Sequence, residues 1–254
     1  MISPEATAEA VRKLRKAGCV FAEDEAQALQ EAAVDDLALA ALVDRRATGE
    51  PVEQVVGWAN FCGVRVHLAP GVFVPRVRSE LLVETAAAQP ATTVVDLCCG
   101  SGALGLALRH RRPEITLHAA DLDPRAVACA RRNLGGNVHR GDLFEALPPE
   151  LRGRIDLLLA NVPYVATAHI PFLPAEARVH EPHTALDGGD DGLQIFRRVA
   201  KEAKHWLSPR GLLISEITEA QTTPAIEITT RHGLTPTVVT DDDLDARAIL
   251  ARFL

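Results

Sequence analysis

The sequence predicts an α/β fold built on an open, mostly parallel sheet, preceded by a smaller helical segment. Three observations carry this. From residue 92 onward, short apolar and β-branched runs alternate with helical stretches that open or close on Gly, Pro or Asp. Residues 5–49 lack that alternation and read as helices alone. The chain closes on two strand-like runs joined by an acidic turn, a hairpin that would set one antiparallel strand into the sheet.

In chain order, ATAEAVRKLRKAG ends on Gly18 and EDEAQALQEAAVDDLALAALVDRRATG ends on Gly49, each glycine a C-terminal stop. Residues 60–76, NFCGVRVHLAPGVFVPR, alternate around Gly and Pro as a linking hairpin does, and a helix follows through Ser79–Ala88. Then come the strand TTVVDLC, the helix ALGLALRHRR, the strand ITLHAAD and the helix PRAVACARRNL, with Pro124 in its first turn. NVHRGD and IDLLLAN supply two more strands, and a long loop runs to about residue 190. The helix GLQIFRRVAKEAKHWL, the strand RGLLISEI, a helix through Ala220–His232 and the strands TPTVVT and RAILARFL complete seven strands. The implied division is a helical region at 1–58, a hairpin at 59–78 and the sheet-bearing domain at 79–254.

Size and composition limit the function classes. A chain of 254 residues, 47% hydrophobic, can bury a substantial core, and that apolar content is too high for a disordered chain. No apolar run approaches the roughly 20 residues of a membrane-spanning helix, and MISPEATAEAVRK has no apolar core of the secretory kind. The net charge of −7 weighs against a surface that grips many phosphates, and Arg109–Arg112 and Arg131–Arg132 read as solvated helix ends. Five cysteines without paired spacing fit a reducing compartment, so a cytoplasmic protein is expected. No metal is expected: Pro182 breaks the helix that a zinc reading of His180–His183 needs, and a calcium reading of 187–198 lacks its acid at the third position and ends on Arg198. No nucleophile elbow is present.

The sharpest local signal is Val94-Val95-Asp96-Leu97-Cys98-Cys99-Gly100-Ser101-Gly102-Ala103-Leu104-Gly105, a strand running through a glycine turn into a helix. Small residues there let backbone N–H groups approach a ligand. Gly100, Gly102 and Gly105 spell the dinucleotide pattern, with Asp121 at the end of the next strand to accept from a ribose diol. Asp96, however, ends the strand close to the turn, and Leu97, Cys98 and Cys99 intervene before the first glycine. A carboxylate so placed repels a pyrophosphate and suits a cationic ligand such as S-adenosylmethionine. Vicinal Cys98 and Cys99 do not suit a relaxed disulfide and read as small residues of the turn.

The strand Ile155–Ala160 runs into Asn161-Val162-Pro163-Tyr164, which should face the same crevice beyond the strand ends. An Asn side-chain carbonyl, the Val162 backbone carbonyl and a flat Tyr164 wall make a slot for a planar group with two N–H donors, an amide or an exocyclic amine.

Taken in order, Glu50-Pro51 through Gly57, Phe73-Val74-Pro75-Arg76 with Glu80, the glycine turn with Asp121, Asn161–Tyr164, Glu181–Gly189 with Asp191-Gly192-Leu193, and Glu216-Ile217 resemble the HemK/PrmC family, protein-(glutamine-N5) methyltransferases that modify the Gly-Gly-Gln glutamine of class I peptide-chain release factors. The resemblance covers about residues 50 to 254. It implies a class I methyltransferase fold, Rossmann-like with seven strands, and S-adenosyl-L-methionine as methyl donor, leaving S-adenosyl-L-homocysteine. It places the cofactor on Asp96, Cys98, Cys99, Gly100, Ser101, Gly102, Asp121, Leu122, Asp142, Leu143 and Asn161. Catalysis falls to Asn161, Val162 and Tyr164, and the acceptor slot to Phe73, Asn161, Val162, Pro163 and Tyr164. The implied partner is a release factor, with no membrane and no direct nucleic-acid substrate; the alternative is the same N-methylation on another protein, a small amide or amine, or an adenine. The chain departs from the family pattern in NVPY for NPPY, in Arg78-Ser79 for an acid and a threonine, in Thr218 for glycine, and in a helical region about twenty residues shorter.

Overall fold

The computed structural model describes residues 2–253; Met1 and Leu254, which end two of the predicted stretches, lie outside them. The helical region consists of α1 (Pro4–Lys16), α2 (Ala22–Ala32), α3 (Asp36–Ala47) and the short α4 (Val52–Val56). The second predicted helical stretch is thus two helices. Ala33 leaves helical geometry, and the Asp35 side chain accepts from the Ala38 N–H to start α3 afresh. α1 and α3 end where Gly18 and Gly49 follow with positive φ. These helices share a small core of Leu14, Leu29, Leu39 and Val43.

The linker is the antiparallel pair β1 (Trp58–Phe61) and β2 (Val64–His67), after which the chain runs without a strand to α5 (Glu80–Ala87). Then come β3 (Thr93–Leu97), α6 (Ala103–Arg111), β4 (Thr116–Asp121), α7 (Pro124–Leu134), β5 (Val138–Arg140) and β6 (Ile155–Ala160). The predicted long loop contains α8 (Ala175–His180) and α9 (His183–Leu186), and α10 (Gln194–Trp206), β7 (Leu207–Glu216), α11 (Thr222–Arg231), β8 (Thr235–Asp241) and β9 (Ala246–Arg252) finish the chain. β7 starts three residues earlier than predicted, because Ile155 pairs with Leu207 before a bulge around Ser208–Arg210 restores register at Leu157 and Leu212.

The sheet order is β5-β4-β3-β6-β7-β9-β8, parallel except for β9, which runs antiparallel to both its neighbours. One face carries α5, α6 and α7 over Val94, Leu117, Leu157 and Ile214. The other carries α10 and α11 over Val95, Leu158, Leu213 and Ile249, with Phe144 stacked on Trp206 at 5.4 Å. This in-out alternation explains why β3 and β6 read as continuous apolar runs: both of their faces are covered. Strand order reverses between β3 and β6, so a crevice opens at their C-terminal ends.

Candidate active site

A cavity of about 500 Å³ fills that crevice, within the range of small-molecule sites. Its floor is the turn after β3. The Cys99 N–H donates to the Ala120 carbonyl at 3.0 Å and the Gly102 N–H to the Cys99 carbonyl at 2.7 Å, winding the turn tightly into α6. Asn133 braces it from α7: its Nδ2 donates to the Ser101 and His67 carbonyls, both at 2.8 Å, and its Oδ1 accepts the His67 N–H. Gly102 has φ +77, and a Cβ there would meet Leu134 and Ala130 within 3.3 Å, so the third residue of the turn must be glycine. Cys98 and Leu143 adopt positive φ without being glycine, a strained backbone on both sides of the cavity.

Asp121 ends β4 facing the turn. Its Oδ2 accepts the Gly100 N–H at 2.8 Å and its Oδ1 the Asp123 N–H at 2.9 Å. Burial pushes its carboxyl above the usual carboxylate range against the pull of these donors. Cys98, Cys99, Gly100, Ser101, Asp121, Leu122, Asp142, Leu143 and Asn161 all line the cavity, as do Phe73, Val162, Pro163 and Tyr164. Asp142 is held by Arg198 at 2.7 Å. Burial raises both vicinal thiols, which therefore stay protonated as small walls. The open space over Gly100, the carboxylate of Asp121 and the apolar wall of Leu122, Leu143 and Ile195 suit a ribose and an adenine between them, so the residues present fit S-adenosylmethionine.

Two predicted residues stand apart from this wall. Gly102 supports the turn from beneath, and Asp96 is fully buried behind it, away from the cavity. Asp96 Oδ2 accepts the Gly105 N–H at 3.0 Å, while Oδ1 is buried without a partner. The sequence expectation puts Asp96 on the cofactor; the structure places its side chain behind the turn, toward Gly105 of α6. Burial lifts its pKa to about 7. A folded-state pKa above the ordinary value near 3.9 means that the folded protein binds the extra proton, so stability falls as pH rises from about 4 through about 7 and then levels off. Asp96→Asn removes this contribution. Comparing melting temperatures of the two proteins from pH 4.5 to 7.5, without cofactor, should show wild type losing several degrees more, at about 2–4 °C per kcal/mol. Parallel curves would refute it.

Asn161, Tyr164 and Phe73, which the sequence placed here, are held by residues that sequence reasoning had not placed in the site. Asn161 Nδ2 donates to Ser79 Oγ at 3.0 Å and to Glu216 Oε2 at 3.3 Å. Ser79 Oγ itself donates to Glu216 Oε2 at 2.5 Å, so only a lone pair remains for Asn161. Both partners accept, which fixes the amide with its NH₂ toward them and its carbonyl oxygen the other way. Among the described residues, no donor is bonded to that oxygen or to the Val162 carbonyl. Tyr164 donates its hydroxyl to Glu216 Oε1 at 2.8 Å, and burial beside that carboxylate raises its phenol. Gln221 holds the Tyr164 carbonyl at 2.9 Å. Gly192 passes so close that a Cβ would strike this carbonyl, and its φ is +73. Phe73 is held differently: buried Glu181 accepts the Val74 N–H at 3.1 Å and Arg76 at 2.5 Å, with the Arg76 guanidinium 4.9 Å over the Phe73 ring. Gln54 of α4 pins the same loop through the Val72 carbonyl and the Gly71 N–H. Glu181 and Glu216 both lie in segments quoted for the family resemblance, which was the available signal.

Residues 63–191 match the model of the methyltransferase small domain family. Among solved structures, a methyltransferase from Pyrococcus furiosus superposes with TM-score 0.56 at 16% identity, covering 75% of this chain and 89% of that one. A 16S rRNA N2 G1207 methyltransferase from T. thermophilus, in complex with AdoMet and guanosine, gives 0.53 at 20% identity, covering 78% and 50%. The fold and the cavity thus define a class I methyltransferase that uses S-adenosylmethionine. In sequence, the release factor glutamine methyltransferase of Geobacter sulfurreducens is 37% identical over 196 residues, 76% of this chain and 69% of its own, and that of Mycolicibacterium smegmatis is 36% identical over 223 residues, 84% and 79%. The chain belongs to the release factor glutamine methyltransferase family.

Proposed function

We propose that this protein transfers a methyl group to the side-chain amide nitrogen of the glutamine in the Gly-Gly-Gln motif of a class I release factor. The observation that carries the reading is the fixed Asn161 amide, whose carbonyl oxygen and the neighbouring Val162 carbonyl both lack a donor among the described residues, in one cavity with the Gly100 turn. Two acceptors at the head of a slot match the two N–H donors of a primary amide. An amide nitrogen is a weak nucleophile because its lone pair is shared with the carbonyl. With both N–H groups directed at Asn161 Oδ1 and Val162 O, the developing positive charge on nitrogen is stabilised and the lone pair is aimed across the cavity. Such positioning can be worth about 7–11 kcal/mol. When bound, S-adenosylmethionine supplies an activated methyl on its sulfonium, held by the 98–102 turn, Asp121, Leu122, Asp142 and Leu143. The methylated nitrogen is acidic and loses its proton to water, so the chain needs no dedicated base.

The helical region, residues 1–58, serves as the part that meets the protein substrate. It is tied to the acceptor side by buried Arg46, which pairs with Glu25 at 2.6 Å and with Glu176 of α8 at 2.5 Å. No helix among the described residues is long and apolar enough to cross a membrane. A release factor partner and five free cysteines support a cytoplasmic location. The test is mass spectrometry of an unmodified release factor after incubation with the protein and S-adenosylmethionine. One methyl on the Gly-Gly-Gln peptide is expected. An unmodified peptide, with cofactor binding shown by calorimetry, would reject the acceptor.

A further inference from the structure

The position that carries an acid in the family pattern carries Arg78 here, and its guanidinium ends on the acceptor slot. Its Nε donates to Glu216 Oε1 at 2.8 Å and its Nη2 to the Tyr164 hydroxyl at 2.5 Å, with its carbon 5.7 Å over the Tyr164 ring. The Glu216 side chain is 4% exposed and accepts from Ser79, Asn161 and Tyr164 as well. A carboxylate so enclosed is costly without a cation, and among the described residues Arg78 is the cation bonded to it. Lysine could not replace it fully, because a single ammonium does not present two diverging N–H groups in a fixed plane. We propose that Arg78 is a positioning residue for methyl transfer: by neutralising Glu216 and holding the Tyr164 hydroxyl, it keeps the Asn161 amide turned with its carbonyl oxygen toward the acceptor. Without it, Glu216 and the Tyr164 hydroxyl lose the partner that locks them, and the acceptor pattern that orients the Asn161 amide loosens. The inference rests on the reading of the slot as a glutamine-amide site.

The experiment compares wild type, Arg78→Ala and Arg78→Lys in release factor methylation, with cofactor affinity measured by calorimetry. Expected for Arg78→Ala is a kcat lower by about ten- to a hundredfold, with KM for the release factor and cofactor Kd within about threefold. Arg78→Lys should recover part of the loss, and added guanidinium should restore part of the Arg78→Ala rate. Tyr164 is the only tyrosine of the chain, so a sample labelled at the tyrosine Cζ alone gives one carbon resonance. That resonance should move in Arg78→Ala and return with guanidinium. An active wild type with an equally active Arg78→Ala would overturn this proposal alone. So would a loss that neither guanidinium nor lysine relieves and that leaves the tyrosine resonance in place. A wild type that leaves the release factor unmethylated would overturn the acceptor assignment and this proposal together.

Discussion

Asn161→Ala is expected to reduce methyl transfer by at least about a hundredfold in kcat while leaving cofactor affinity within about tenfold. The asymmetry follows from where its atoms point. Its NH₂ is spent on Ser79 and Glu216, both from the protein, and its carbonyl oxygen is the part left for a ligand. On the proposed reading, removing the side chain deletes one of two acceptors that stabilise charge on the reacting nitrogen, a loss comparable to removing one preorganised dipole from an oxyanion hole. The turn at 98–102 and Asp121 are held by backbone and by Asn133 and do not depend on Asn161. Val162→Ala is the control. The Val162 side chain is buried and the proposed acceptor is its backbone carbonyl, so truncation should cost stability and leave kcat within a few-fold of wild type. Steady-state kinetics on a release factor substrate, with calorimetry for the cofactor, checks both. If the two variants lose kcat equally, the side-chain carbonyl has no special part.

That contrast shows how much of the site the sequence could reveal. The glycine turn was legible because its requirements are local: a strand, three small residues and a helix occur within Val94–Gly105. NVPY was legible because it directly follows an apolar strand, and ligands gather beyond such ends. The brace of the acceptor slot was not. Arg78 and Glu216 are separated by 138 residues and meet only because α5, which starts just after Arg78, packs against β7, which ends on Glu216. Nothing in the local pattern around Arg78 distinguishes it from a solvated arginine. Asp96 shows the converse. Its place near the turn was read from the sequence, but its side chain lies on the Val94 face of the sheet, which α6 covers and where Gly105 approaches it, and which helix covers that face is not reported by spacing alone. The same limit applied to the fold: a mostly parallel sheet could be argued from alternation, whereas the strand order and the bulge in β7 depend on tertiary packing.

Asp121→Ala should show the opposite kinetic pattern to Asn161→Ala: a loss of cofactor affinity of about a hundredfold or more, with kcat at saturating cofactor within a few-fold of wild type. Asp121 has two tasks. Its two oxygens accept the Gly100 and Asp123 N–H groups, so it joins the glycine turn to the end of β4, and it lines the cavity, where the proposed partner of its remaining lone pairs is the cofactor's ribose diol. Each charge-assisted bond of this kind contributes about 1.5–3 kcal/mol, and alanine leaves the Gly100 N–H without a partner as well. Asp121→Asn is milder. One carbonyl oxygen can still accept, but its NH₂ must face a donor, so an intermediate affinity is expected. The raised carboxyl of Asp121 adds a pH signature. Because burial favours its neutral form, acidification protonates it earlier than an ordinary carboxylate, and wild-type cofactor affinity should weaken on the acid side. In Asp121→Asn that dependence should flatten. Calorimetric titrations with S-adenosylmethionine across pH separate the possibilities: an unchanged acid-side slope in Asp121→Asn would place the titrating group elsewhere, and an unchanged affinity in Asp121→Ala would remove Asp121 from the cofactor site.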